Sequence, residues 1–170
     1  MTAAKILLVR HGESTANVAA TAAEAAGEEV IDVGARDADV PLSELGERQA
    51  AALRPRLAAE LGADRRGALV WSSPYRRAVS TARLALDGDA FVVDERLRDR
   101  ELGILDALTR HGVDTRLPQE AARRRWLGTF YYRPPAERRG RMSRSGCARS
   151  PGSSRPPTVV PCWSSRTTPS

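Results

Sequence analysis

Arg10-His11-Gly12-Glu13-Ser14 follows directly on the apolar run Lys5-Ile6-Leu7-Leu8-Val9. These residue types suit covalent chemistry on an anion. A neutral imidazole can attack phosphorus and hold the phosphoryl group. A guanidinium offers a permanently charged planar fork that matches phosphate oxygens. Gly12 lets the backbone turn sharply and approach a ligand closely. Taken alone, an Arg-His-Gly triplet is equally a surface turn. The elements around it argue otherwise. The run of Ile, Leu and Val predicts a strand buried on both faces, as in a parallel sheet. Open α/β folds bind ligands beyond the carboxyl ends of such strands, where Arg10 and His11 fall. Ser14 and Thr15 are candidate caps for an alanine-rich helix over Ala16–Ala26 that Gly27 closes. The free N–H groups at its start favour the same anion.

Further elements follow in a β/α rhythm. Ser43 is a plausible N-cap, and Leu45, Ala52, Leu53, Leu57 and Leu61 form one apolar stripe, with Pro55 kinking the helix and Gly62 closing it. Leu69-Val70-Trp71 predicts a short strand. Ser73-Pro74 opens another helix, with proline in the first turn, where its missing N–H costs nothing. Arg77 then falls close to a strand end and can point at the same anion as Arg10, whereas Arg76 reads as a solvated charge. Phe91-Val92-Val93 predicts a third strand, and Asp94 to Glu101 form the loop beyond it.

Leu8-Val9-Arg10-His11-Gly12-Glu13-Ser14-Thr15-Ala16-Asn17 resembles the signature of the histidine phosphatase superfamily, which includes the phosphoglycerate mutases. Three more stretches resemble that family in the expected order. They are Pro41 to Ala50, Ala68 to Ala78 with its Ser72-Ser73-Pro74 turn, and Leu97-Arg98-Asp99-Arg100-Glu101-Leu102-Gly103. The resemblance implies that His11 becomes phosphohistidine and that Arg10 and Arg77 clamp the phosphate, with Asn17 and Gly12 at its side. It also implies an acid that protonates the leaving oxygen. The pattern places that acid on Asp99, where the family carries Glu, and Glu101 is the alternative; either is otherwise an ordinary exposed carboxylate among Arg96, Arg98 and Arg100. The implied fold is α/β and three-layered: a mostly parallel sheet with helices on both faces, phosphoglycerate mutase-like, with its C-terminal part missing or disordered. The implied activity is hydrolysis of a small phosphate monoester without a cofactor or metal. A phosphoglycerate mutase-type phosphotransferase and a non-catalytic, phosphate-binding remnant are the alternatives.

The family also carries a second histidine at the end of a late strand. The only other histidine here is His111. No buried strand precedes it, and Asp106 to His111 read as a short helix closed by Gly112, so it is not expected to serve. Composition changes abruptly instead. The chain holds 27 basic and 21 acidic residues, of which seven arginines and one acid, Glu137, follow Arg133. The whole +6 net charge therefore belongs to the tail, and the first 133 residues are neutral, with 20 of each sign. Seven of the eleven prolines and both cysteines also lie there. Residues 1–133 thus read as an incomplete histidine phosphatase-like domain, and 134–170 as a Pro/Ser/Arg-rich tail expected to be disordered.

The genetic code suggests why. Codons built from the last base of each codon and the first two of the next permit Val-Leu-Val-Val-Thr-His-Asp-Ala-Val over Pro161–Ser170. Cys162 before Trp163 forces a leucine, and Trp163 before a TCN serine forces a valine. This is the kind of apolar strand ending in histidine that the resemblance requires. Loss of one G after Pro135 would produce the tail, and a genuine basic low-complexity segment is the rival reading. Without its late strand, the sheet should show unpaired edges and exposed apolar surface.

The basic tail could be read as a nucleic-acid contact. It holds no lysine and one aromatic, Trp163, so no stacking pattern supports that partner. Cys147 and Cys162 have no histidine nearby and suggest no metal site. No apolar run is long enough to span a membrane, and the chain enters a core strand without a leader, so a cytoplasmic protein is expected. The expected partner is a small phosphorylated substrate. Oligomeric state is not legible.

Overall fold

Two helix starts place the first loop. Ser14 Oγ accepts the Asn17 N–H at 3.2 Å and Asn17 Oδ1 accepts the Ser14 N–H at 3.0 Å. This reciprocal capping box starts α1 (Thr15–Ala26), and Gly27 ends it in the left-handed region at φ 68°. Ser43 Oγ accepts the Gly46 N–H at 3.0 Å and starts α2 (Glu44–Ala52), whose first-turn acids Glu44 and Glu47 suit the positive end of the helix. The expected single kinked helix is two. The chain breaks at Leu53, and α3 (Arg54–Leu61) begins with Pro55 in its first turn, where the missing N–H was never needed. The expected stripe is half right. Leu57 is buried and Leu53 and Leu61 are partly so, but Leu45 and Ala52 face solvent, and Gly46 and Ala50 are the buried residues of α2. These features come from a computed structural model that describes residues 5–62, 68–88 and 90–135. The tail reading falls outside the described residues.

The sheet among the described residues is parallel. Strand β1 (Trp71–Ser72) pairs with β2 (Val92–Val93), Trp71 opposite Val92 and Ser72 opposite Val93. The connection runs through α4 (Arg76–Leu86), the β-α-β unit expected of an α/β fold. Pro74 lies before α4 and not in its first turn, because Tyr75 takes the N-cap position. Leu57, Val70, Ala85 and Leu86 form the core beneath β1, with Leu7, Val9, Phe91 and residues of α3 packed against them.

Lys5–Val9 correct one expectation. Leu7 and Val9 point into that core, but Ile6 and Leu8 are 61% and 65% exposed, and no ladder pairs the run with β1 among the described residues. The run alternates like a strand covered on one side only. Among the described residues nothing covers Ile6 and Leu8, and Leu69, Val92 and Val93 are exposed as well.

A second cluster closes the chain. Helix α5 (Arg110–Arg116) and α6 (Pro118–Tyr131) pack around Leu105, Val113, Ala121 and Tyr132. The expected helix over Asp106–His111 is corrected here. Thr109 Oγ1 accepts the Gly112 N–H at 2.9 Å and so starts α5 at Arg110. Gly112 lies inside the helix, because a Cβ there would sit 1.9 Å from the Glu29 carbonyl oxygen.

Candidate active site

The loop after Val9 is fastened by hydrogen bonds to two helices. Gly12 N–H donates to Thr81 Oγ1 of α4 at 3.1 Å, and Thr81 donates to the Arg77 carbonyl at 2.7 Å. Glu13 N–H donates to Gln49 Oε1 of α2 at 2.9 Å, and Ser43 Oγ donates to Glu13 Oε1 at 2.6 Å. Gly12 and Gly46 cross backbone to backbone: a Cβ on Gly12 would lie 2.3 Å from the Gly46 carbonyl oxygen. Only glycine permits that approach.

His11 emerges from this loop into a small, shallow pocket lined by Ser73, Tyr75, Arg77, Ala78, Leu97 and Asp99. The imidazole is 9% exposed. Its Nδ1 lies 2.6 Å from the Gly12 carbonyl oxygen. A carbonyl only accepts, so Nδ1 carries the proton and Nε2 keeps the lone pair. Burial holds the imidazole below its ordinary pKa, and the Arg77 and Arg10 charges push the same way, against the Gly12 carbonyl and the Asp37 carboxylate. His11 is thus a neutral imidazole at neutral pH, its ring fixed by the Gly12 carbonyl.

Arg77 stands in the first turn of α4, 6% exposed. Its Nη1 donates to the Asp37 carbonyl at 2.5 Å and to Asp37 Oδ1 at 3.0 Å, and the Tyr75 ring lies 4.7 Å from the guanidinium carbon. Arg10 is exposed, outside the pocket lining, and near enough to act on His11 through its charge. Asp99 and Glu101 are both half-buried, but only Asp99 lines the pocket with His11. Asn17 is engaged with Ser14 in the capping box, its Oδ1 taking the Ser14 hydroxyl at 2.8 Å as well, and is not a lining residue. His111 is exposed on the first turn of α5, away from the pocket lining.

Sequence reasoning missed Thr81, Tyr75 and Asp37. Thr81 had a signal, since it lies four residues after Arg77 on one helix face. Tyr75 sits inside a motif that was noticed for other residues. Asp37 had none, because its 3₁₀ turn (Asp37–Asp39) belongs to an aperiodic loop. Among the described residues no three His, Cys, Asp or Glu side chains gather to hold a metal, and no helix is long and apolar enough to cross a membrane. A larger hollow, lined by Val9, Leu57, Val70 and Leu86 among others, holds no ionisable side chain.

The histidine phosphatase superfamily (branch 1) matches residues 6–146. No curated protein matches the sequence. Among solved structures, the native mycobacterial glucosyl-3-phosphoglycerate phosphatase is 30% identical, with 78% of this chain and 54% of that chain covered and a TM-score of 0.56. The same mycobacterial enzyme in complex with VO3 is 29% identical, with 79% and 59% covered and a TM-score of 0.60. A protein of Thermus thermophilus is 24% identical over 91% of this chain and 75% of its own, with a TM-score of 0.55, a likeness of fold. This chain spans little more than half the length of the two mycobacterial structures.

Proposed function

Since the chain belongs to the histidine phosphatase superfamily, we propose that it hydrolyses a small phosphate monoester through a phosphohistidine at His11. The observation that carries this reading is the environment of His11: a buried imidazole that lines the pocket, with Nδ1 tied to the Gly12 carbonyl so that the lone pair of the neutral ring falls on Nε2. Nε2 attacks phosphorus and the bond to the leaving alkoxide breaks. Asp99, as the general acid, passes a proton to that oxygen. Water then attacks the phosphohistidine, Asp99 takes back a proton, and the P–N bond breaks to release inorganic phosphate and neutral His11. Arg77 and Arg10 stabilise charge on the equatorial oxygens. Asp99 is preferred to Glu101 because it shares the pocket with the nucleophile. The similarity to a mycobacterial glucosyl-3-phosphoglycerate phosphatase solved in complex with VO3 supports an oxyanion ligand for this chain.

We further propose that turnover is impaired in this chain. One histidine and two arginines leave part of the transferring phosphoryl charge without a donor, and one missing donor costs on the order of 10²–10³ in rate. The second histidine would lie in the alternative reading frame of the tail. A chain that binds phosphate without turning it over is the second reading, favoured by the single histidine in the pocket. Incubation with a small phosphate monoester, an alkaline quench and assay of acid-labile phosphate tests the first. Label on the parent chain that vanishes in His11→Ala is expected. Label retained in His11→Ala overturns the assignment, and saturable phosphate binding with no label supports the second reading.

A further inference from the structure

Arg77 poses an electrostatic problem that the proposed reaction does not answer. A guanidinium 6% exposed, beside Arg10 and His11, needs a compensating partner. Asp37 supplies it from outside the pocket lining. The 3₁₀ turn packs on α4, and both the carbonyl and the carboxylate of Asp37 take the same nitrogen, Nη1. Tyr75 covers the guanidinium face. With one nitrogen anchored and one face covered, the fork has one direction left for its other N–H groups, towards the pocket that it lines with His11. The neighbouring Asp39 does something different, pairing at the surface with Arg36.

We propose that Asp37 is a positioning residue that anchors Nη1 of Arg77 so that the remaining guanidinium donors face the phosphoryl group. This rests on the phosphatase reading of the pocket. It distinguishes an anchor from a resident anion that competes with phosphate, because the two respond oppositely to mutation. An Asn at 37 keeps a side-chain oxygen for Nη1, while an Ala leaves it the backbone carbonyl alone.

The experiment compares the full chain with Asp37→Asn, Asp37→Ala and Asp39→Ala. The readouts are the rate of His11 phosphorylation by p-nitrophenyl phosphate and the affinity for inorganic phosphate, with circular dichroism to confirm folding. Asp37→Ala is expected to lose roughly tenfold to a hundredfold in labelling rate and to weaken phosphate binding, the usual scale for a charged hydrogen bond. Asp37→Asn should restore most of both, and Asp39→Ala should match the parent. The groups facing His11 are Arg10, Arg77, Tyr75, Asp99 and Asp37. Removing the Asp37 carboxylate takes away one of the influences that raise the His11 pKa, so both Asp37 variants should shift the acid limb of the labelling profile to lower pH. A structural role alone would not produce that shift.

Equal rates and affinities in Asp37→Ala and the parent overturn the proposal, as does tighter phosphate binding in either Asp37 variant. If Asp37→Ala does not fold, Asp37→Asn decides alone: phosphate binding tighter than the parent's overturns the anchor, and parent-like binding supports it. If the parent shows no label on His11, the phosphatase reading fails by itself, and phosphate affinity across the variants still decides the role of Asp37. A parent that binds no phosphate overturns both.

Discussion

Gly12→Ala tests whether the crossing of two backbones positions the nucleophile. A Cβ there would sit 2.3 Å from the Gly46 carbonyl oxygen, where ordinary contact begins at 3.4 Å. The obstacle is backbone, so no side chain can swing away, and the loop must retreat by about 1 Å. Forced overpacking of this kind costs about 1–3 kcal/mol, or roughly 2–12 °C of melting temperature in a domain of this size. The kinetic consequence is separate. His11 is the preceding residue, and a misplacement near 1 Å can cost about 10²-fold in rate. Gly27→Ala is the control. Nothing lies within 4 Å of its would-be Cβ, so it bears only the left-handed strain of φ 68°, about 1 kcal/mol, with His11 undisturbed. Calorimetry gives the stability of each variant, and the rate of His11 phosphorylation by p-nitrophenyl phosphate gives the geometry. A Gly12→Ala protein with the parent's rate would refute the reasoning, as would a Gly27→Ala protein that loses as much rate.

Three more outcomes are expected. Asp99→Asn should slow phosphoryl transfer from alkyl phosphates by about 10²–10⁴, the usual range for a positioned acid, while Glu101→Gln stays within a few-fold; the reverse order in steady-state rates would move the acid to Glu101. The His11 pKa is lowered on folding, so the unfolded chain binds the extra proton as pH falls through about 6.5; stability should therefore rise with pH across that window and fall below it, and urea melts of His11→Ala should show a weaker slope there. Restoring one base after the Pro135 codon should raise phosphatase rate by on the order of 10²–10³ and reduce aggregation, whereas equal rates in the two chains would sink the frame argument as a statement about function.

The local starts of the fold were legible because each rests on a short-range rule. Ser14, Ser43 and Gly27 act on neighbours within a turn, and residue type alone announces them; the part Asn17 takes in the Ser14 cap was not read. Burial was less legible. Five consecutive residues from Lys5 read as buried on both faces, yet Ile6 and Leu8 are exposed, because sequence records only the propensity to be covered and nothing among the described residues covers them. His111 was misplaced for a related reason. Gly112 reads as a helix stop, but a close approach to Glu29 put it inside a helix, and long-range contacts of that kind have no local signature. Of the pocket residues, His11, Arg77 and Asp99 stand in spaced motifs, whereas Arg10, from the same motif as His11, lies outside the lining. Asp37 was not legible, since an ion pair between a loop and a helix forty residues away is a tertiary fact.

The site and the strand that delivers it are held by different forces. The His11 loop hangs on hydrogen bonds from Gly12 to Thr81, Glu13 to Gln49 and Ser43, and Thr15 N–H to the Pro41 carbonyl. All of these partners precede residue 82, within the first half of the chain. Strand-like burial of Lys5–Val9, by contrast, needs a neighbour on the side where Ile6 and Leu8 now meet water. Directional bonds to α2 and α4 can therefore assemble the phosphate side of the pocket while the hydrophobic term stays incomplete. A defect confined to residues after Pro135 should then separate two properties that usually fail together: oxyanion binding at His11 persists, and global stability and turnover decline.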